Sequence, residues 1–238
     1  MSLEDYRQDI EALTPVVFTS EFRFVGGEPL LHPDLLEFLR IGHESQMTHA
    51  LTLVTNGVFL DRMPDDFWAL LDTLIVSIYP GVILHMTPEE ITEKAKSFGT
   101  GVWIKDTPTF HLGVLNTKIK DESLIRKIYL GCGLAHGIQC HTIHEGRYYK
   151  CSPAPFLEPR LAQYGVSFPN REKDGVPLRN NPRLREDLEA YLASQEPLMG
   201  CSYCLGTSGK KFPHRQLNRE GLIAEIKEDH SDPTRLLR

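Results

Sequence analysis

Two groups of residues in this sequence have the types and spacing for chemistry. One is Gly26-Gly27-Glu28-Pro29, which closes an apolar run; the other is a set of five cysteines, at 132, 140 and 151 and in Cys201-Ser-Tyr-Cys204. Glycine lacks a Cβ and reaches positive φ freely, so the amides of a Gly-Gly pair can approach a ligand closely, and Glu28 offers a carboxylate acceptor to an ammonium group. Pro29 stiffens the exit by fixing its own φ. The Cys-x2-Cys spacing lets two thiolates of one tight turn reach the same metal group. That group is either an iron–sulfur cluster held by four thiolates or a zinc ion held tetrahedrally by four cysteines.

Composition narrows the setting in which such chemistry works. An odd number of cysteines, in a chain whose start Met1-Ser-Leu-Glu-Asp5 lacks a basic-then-apolar leader, fits a reducing compartment and metal or thiol chemistry rather than a disulfide framework. The expected location is cytoplasmic. No stretch approaches 18 consecutive apolar residues, and a net charge of −6 gives no electrostatic footprint for nucleic acid or anionic membrane. With 238 residues and 41% hydrophobic content, the chain can bury a core and fits one domain or a domain plus an appendage.

The elements that must position these residues alternate in type. Ser2 and Asp5 make a capping-box pattern ahead of Leu3, Tyr6, Ile10 and Leu13 at helical spacing, and Glu21–Val25 follows as a strand feeding the Gly-Gly loop. Pro33 in a first turn, with Leu35, Leu36, Leu39 and Ile41, predicts a second helix, and Ala50–Val54 a second strand ending in Thr55-Asn56-Gly57. A helix near Asp65–Leu71, a strand Thr73–Ile78, a helix opened by Thr87, Pro88 and Glu90, and a strand Gly101–Ile104 complete the series. Such βα units imply a parallel sheet covered by helices, either doubly wound or a partial barrel. Ligand sites in both lie at the carboxyl ends of strands, where Gly26–Pro29, Thr55–Gly57 and Ser77 all fall.

The order strand-Gly26-Gly-Glu-Pro29, strand-Thr55-Asn-Gly57, strand-Val76-Ser-Ile78 resembles the second, third and fourth strands of the radical S-adenosylmethionine (radical SAM) partial barrel. The resemblance implies an α/β fold of that type with its first strand missing. It also implies SAM as cofactor, its methionine end held by Glu28 and the amides of Gly26 and Gly27, its ribose reached by Ser77, and Asn56 nearby. The family's cysteine triplet, Cys-x3-Cys-x2-Cys, binds the cluster that cleaves SAM, yet no cysteine precedes Cys132 here. The expectation is an N-terminally shortened version of a longer protein, inactive alone, or a relative that has lost that cluster.

From Cys132 the composition changes, and Gly137–Cys151 reads as a β-hairpin turning at His144-Glu145-Gly146. Cys132, thirteen residues, Gly146, four residues, Cys151 is similar to the opening of the SPASM and shorter Twitch domains appended to radical SAM enzymes, with Cys201 and Cys204 as the later Cys-x2-Cys. No cysteine follows Cys204, as in a one-cluster Twitch arrangement. The resemblance spans roughly residues 20–105 and 130–205 and implies one auxiliary 4Fe-4S cluster on Cys132, Cys151, Cys201 and Cys204. Cys140 is the alternative to Cys132, and zinc the alternative to iron. His141 and His144 read as hairpin residues rather than ligands.

The predicted organisation is a barrel unit 1–130, an auxiliary-cluster unit 131–214 with a hairpin and one helix that has Asn181 as N-cap and Pro182 in its first turn, and a charged tail 215–238 with an apolar cluster at Leu222–Ile226. The implied activity is radical modification of a small-molecule or peptide substrate, as an oxidoreductase or transferase supplied with electrons by a reductant protein. Peptides, carbohydrates and aminocyclitols serve relatives. Lys105, Asp106, Tyr148 and Tyr149 are candidate substrate contacts, while no residue is marked as catalytic. The competing readings are a zinc-stapled α/β binding protein and a non-catalytic remnant.

Overall fold

The computed structural model describes residues 1–216, 220, 221, 224 and 232–237. The chain divides into two compact units, Met1–Pro108 and Thr109–Arg238.

The first unit alternates helix and strand. Its elements are α1 (Leu3–Leu13), β1 (Phe22–Phe24), α2 (Leu35–Glu44), β2 (Leu51–Thr55), α3 (Asp65–Ala69), β3 (Thr73–Ile78), α4 (Pro88–Ser97) and β4 (Gly101–Asp106). The strands form one parallel sheet in the order β1-β2-β3-β4. Side chains alternate across a strand, so register sorts them. Phe24, Leu53, Leu74 and Val102 stand side by side and pack into a core with Leu39, Phe67, Trp68 and Ile91 from the helices. The opposite face carries Thr52, Val54, Ile75, Ser77, Trp103 and Lys105. Each strand following its helix in one sense places every strand's carboxyl end on the same edge, and that edge is the predicted rim.

Local chemistry explains the element ends. Thr87 and Glu90 form the reciprocal capping box expected at α4, and Ser2 Oγ accepts the Asp5 amide at the start of α1. Strand limits move slightly from the sequence reading: β1 keeps only Phe22–Phe24, because Gly26 and Gly27 leave no side chain to pair or pack, while β4 runs on to Asp106 beside β3. Among the described residues no helix is long and apolar enough to cross a membrane.

The second unit begins earlier than the change in composition at Cys132. Leu115 and Ile119, on the segment after β5 (Thr109–His111), and Ile128 on α5 (Glu122–Leu130) are buried together with Leu205. The segment 109–130 therefore belongs to the packing of this unit. β5 pairs antiparallel with β9 (Lys211–Pro213). The predicted hairpin is β6 (Thr142–His144) and β7 (Arg147–Tyr149), extended by β8 (Gly175–Pro177). Its turn is tighter than three residues: Glu145 at φ 45° and Gly146 at φ 77° form a two-residue left-handed turn that matches the strand twist. Short helices α6 (Leu157–Ala162) and α7 (Arg171–Asp174) precede α8 (Leu184–Ala193). Asn181 does not cap α8 as predicted. Its Oδ1 accepts the Arg183 amide in a turn, so the helix opens at Leu184. Of the tail's apolar cluster Leu222–Ile226, only Ala224 lies within the described residues.

Candidate functional site

At the rim of the first unit, the loop after β1 is tied to the end of β2 by Glu28. Its Oε1 accepts Thr55 Oγ1 at 2.6 Å and the Leu30 amide at 3.1 Å, and its Oε2 accepts the Asn56 amide at 2.8 Å. The carboxylate is thus a staple first. A carboxylate has about four acceptor sites, so one remains on Oε2 for an ammonium group. A Cβ added at Gly26 or Gly27 would meet nothing within 4 Å, which leaves room for close approach to their amides. Asn56 Oδ1 accepts the Val58 amide, a turn function, and Gly57 at φ 79° is required because a Cβ there would sit 2.8 Å from Val76. Ser77 is 7% exposed, and its hydroxyl has no hydrogen-bond partner among the described residues. Lys105 and Asp106 are exposed at the end of β4.

In the second unit, Cys132, Cys151, Cys201 and Cys204 line one cavity of about 30 Å³, walled otherwise by apolar groups such as Ile128, Leu157 and Leu198. Cys140 is not in its lining. All five cysteines are unbridged. The α5 end and the π-helical turn Gly133–Gly137 present Cys132, the exit of β7 presents Cys151, and the 3-10 turn Met199–Tyr203 presents Cys201 and leads into Cys204. Among the described residues no three His, Cys, Asp or Glu side chains are placed to ligate one metal ion. A tetrahedral zinc with bonds of about 2.3 Å would draw four sulfurs to within roughly 3.8 Å of one another. An iron–sulfur cluster binds thiolates at separate corners, which suits donors spread around a void.

Packing around the thiols is close. Gly206 sits at φ 54°, its amide donates to Cys204 Sγ at 3.3 Å, and a Cβ there would lie 2.7 Å from Cys132 Sγ. Asp174, 1% exposed, holds the turn that carries Cys201: its Oδ1 accepts the Met199 amide at 2.6 Å and its Oδ2 the Gly200 amide and Asn170 Nδ2, each at 2.7 Å. Burial pushes the Asp174 carboxyl up, and those three donors oppose the shift. Lys150 is 2% exposed, with its Nζ donating to Tyr129 Oη at 2.9 Å and the Ser194 carbonyl at 2.6 Å. Burial lowers its pKa, and the charges of Cys201 and Cys151 draw it back up.

The thiols of Cys151, Cys201 and Cys204 are shifted towards the protonated form. Burial pushes Cys201 up to about 12 and Cys204 up to about 11, with like-charged thiolate neighbours adding to both, and Cys151 moves in the same direction. A folded-state pKa raised above the unfolded value, roughly 8.5, adds stability that is complete below that value and lost as pH rises towards 11–12. The metal-free chain should therefore lose thermal stability between about pH 8.5 and 11. The loaded chain, whose bound thiolates have no proton to lose, should lose less. Melting midpoints of both forms across that window check the difference.

The fold and these residues define a parallel α/β unit with a polar rim, and a second unit that contains a four-cysteine cavity. No family model matches the chain. Over 66 residues it is 39% identical to a GTP 3',8-cyclase of Chlorobaculum tepidum, covering 28% of this chain and 18% of that protein. A GTP 3',8-cyclase of Microcystis aeruginosa is 40% identical over 63 residues, covering 25% and 19%. The matched stretch is thus about a fifth of the length of these curated relatives. Among solved structures, BtrN in complex with AdoMet and 2-DOIA is similar at 16% identity and a TM-score of 0.49, covering 87% of this chain and 81% of that one. An open form of BtrN gives 17% and 0.47.

Gly206, Asp174, Lys150 and Tyr129 were not singled out from sequence. Lys150 beside Cys151 and Gly206 two residues after Cys204 carried a signal in their spacing; Asp174 reaches Gly200 across 26 positions, which no local pattern encodes.

Proposed function

We propose that this chain is the core of a radical SAM-type protein that binds SAM at the rim of the first unit and one auxiliary 4Fe-4S cluster on Cys132, Cys151, Cys201 and Cys204 of the second, and that acts on a small-molecule or peptide substrate. The observation that carries the reading is the convergence of those four cysteines, from three separated stretches of sequence, on one cavity. Their donor set fits the group: four soft thiolates, apolar walls and a glycine amide directed at one sulfur. The cluster would supply one-electron redox chemistry or a ligating iron.

The chain's own residues place apolar side chains around the four sulfurs, hold the turn of Cys201 and Cys204 through Asp174, and donate an N–H to Cys204. At the rim, the open space over Gly26 and Gly27 supports close approach of a ligand's amino-acid end, and the unpartnered Ser77 hydroxyl supports a polar contact to a sugar. Anaerobic reconstitution followed by metal analysis tests the cluster reading: iron and sulfide near four each per chain are expected, and one zinc with no iron would reject it.

The rim has its own test. Glu28→Ala should weaken SAM binding on the order of ten- to a hundredfold, since the variant loses a charge-assisted bond of about 1.5–3 kcal/mol and also releases the loop from Thr55 and Asn56. Calorimetry checks this. Unchanged affinity would remove Glu28 from the site.

A further inference from the structure

Lys150 is buried without a carboxylate. No acidic side chain among the described residues lies within ion-pair distance of its Nζ, whose contacts are a phenol, a carbonyl and the faces of Tyr129 at 5.6 Å and Tyr191 at 5.7 Å. Tyr191 is fixed in turn, since its hydroxyl accepts the Lys150 amide and donates to the Asp174 carbonyl. A lysine enclosed in this way is uncommon, because an ammonium taken out of water needs an opposite charge to offset the loss of solvation. The next residue in the chain, Cys151, lines the four-cysteine cavity. Tyr129, on which the ammonium rests, is itself part of the wall of the four-cysteine cavity.

We propose that Lys150 is the built-in counter-charge of the metal–thiolate group, and that its function is to raise the reduction potential of whatever redox group the four cysteines hold. The inference rests on the cluster reading above. Four thiolates around an iron–sulfur cluster leave the assembly with net negative charge, and each added electron increases it. A fixed cation in a low-dielectric wall favours the more negative, reduced state. Lys150 is a positioning and tuning residue rather than a catalytic one, since its contacts run through Tyr129 and the protein frame.

The test uses the full 238-residue chain, reconstituted anaerobically, as wild type, Lys150→Met and Lys150→Arg. Metal analysis of the wild type comes first: absence of iron rejects the cluster reading, and the inference with it. With iron present, Lys150→Met should retain it while its one-electron reduction equilibrium, followed by spectroelectrochemistry, shifts at least about tenfold towards the oxidised form, about 59 mV to lower potential. Lys150→Arg, which keeps the charge, should stay within a few-fold of wild type. Loss of iron in the methionine variant with retention in the arginine variant would equally support a charge role. An unchanged potential in Lys150→Met overturns the proposal, as does loss of iron in both variants, because the residue would then act through shape and hydrogen bonding alone.

Discussion

Gly206→Val should abolish metal loading while leaving the first unit's secondary structure intact. Position 206 combines two constraints that a side chain cannot satisfy together. Its φ of 54° is a left-handed conformation that costs a residue with a Cβ about 1–2 kcal/mol, and more for a β-branched one. The added Cβ would also lie 2.7 Å from Cys132 Sγ, well inside contact distance. Relief requires either rotation of the Cys132 side chain out of the cavity or movement of the Gly206 amide away from Cys204, and each removes support from a ligand. Gly206→Ala should show the same effect to a smaller degree. Gly137→Ala is the contrast, because nothing lies within 4 Å of a Cβ there and φ is not positive. Iron content after anaerobic reconstitution checks all three: loss of more than tenfold is expected for valine, and full loading of Gly206→Val would remove the steric account.

Asp174→Ala should produce the largest loss of stability in the second unit, on the order of 3 kcal/mol or more. The carboxylate accepts three N–H bonds in a buried setting, and its removal leaves the amides of Met199 and Gly200 and the side-chain amide of Asn170 with one acceptor fewer each. There is no slack to recover them, since a Cβ at Gly200 would already press on Leu157 at 2.4 Å. Asp174→Asn should be nearly as damaging: an amide keeps the volume but replaces one acceptor oxygen with a donor facing a donor. Because Met199 and Gly200 open the turn that carries Cys201, loading should fall along with stability. Urea unfolding of the metal-free chain separates the two effects. A cost below about 1 kcal/mol for Asp174→Ala would show that the turn stands without the clamp.

The parallel sheet was legible because its information is local. Thr73–Ile78 is apolar almost throughout, as a strand covered on both faces must be, and Thr87-Pro88-x-Glu90 fixes a helix start through bonds made within four residues. The rim was legible for the same reason, as glycine pairs and Asn-Gly turns mark strand ends. The role of Glu28 was only half legible. Its carboxylate answers to Thr55 and Asn56, 27 and 28 positions away, and a motif cannot state how many of its acceptor sites the fold already uses. In the second unit the cysteines announced themselves, but the groups that hold them did not. Lys150 reads as an ordinary solvated lysine until Tyr129, 21 positions earlier, and Ser194, 44 positions later, are brought to its Nζ. The extent of the second unit was hidden as well: Leu115 and Ile119 continue the apolar rhythm of the sheet region, and only their burial with Leu205 assigns them to the other core.

The most direct measurement is iron and acid-labile sulfide in the anaerobically reconstituted chain and in five single variants, Cys132→Ala, Cys140→Ala, Cys151→Ala, Cys201→Ala and Cys204→Ala. The geometry predicts about four irons in the wild type and in Cys140→Ala, whose thiol lies outside the cavity, and marked loss in each of the other four. Stoichiometric zinc in place of iron in the wild type, or loss of iron in Cys140→Ala with retention in Cys132→Ala, would contradict it.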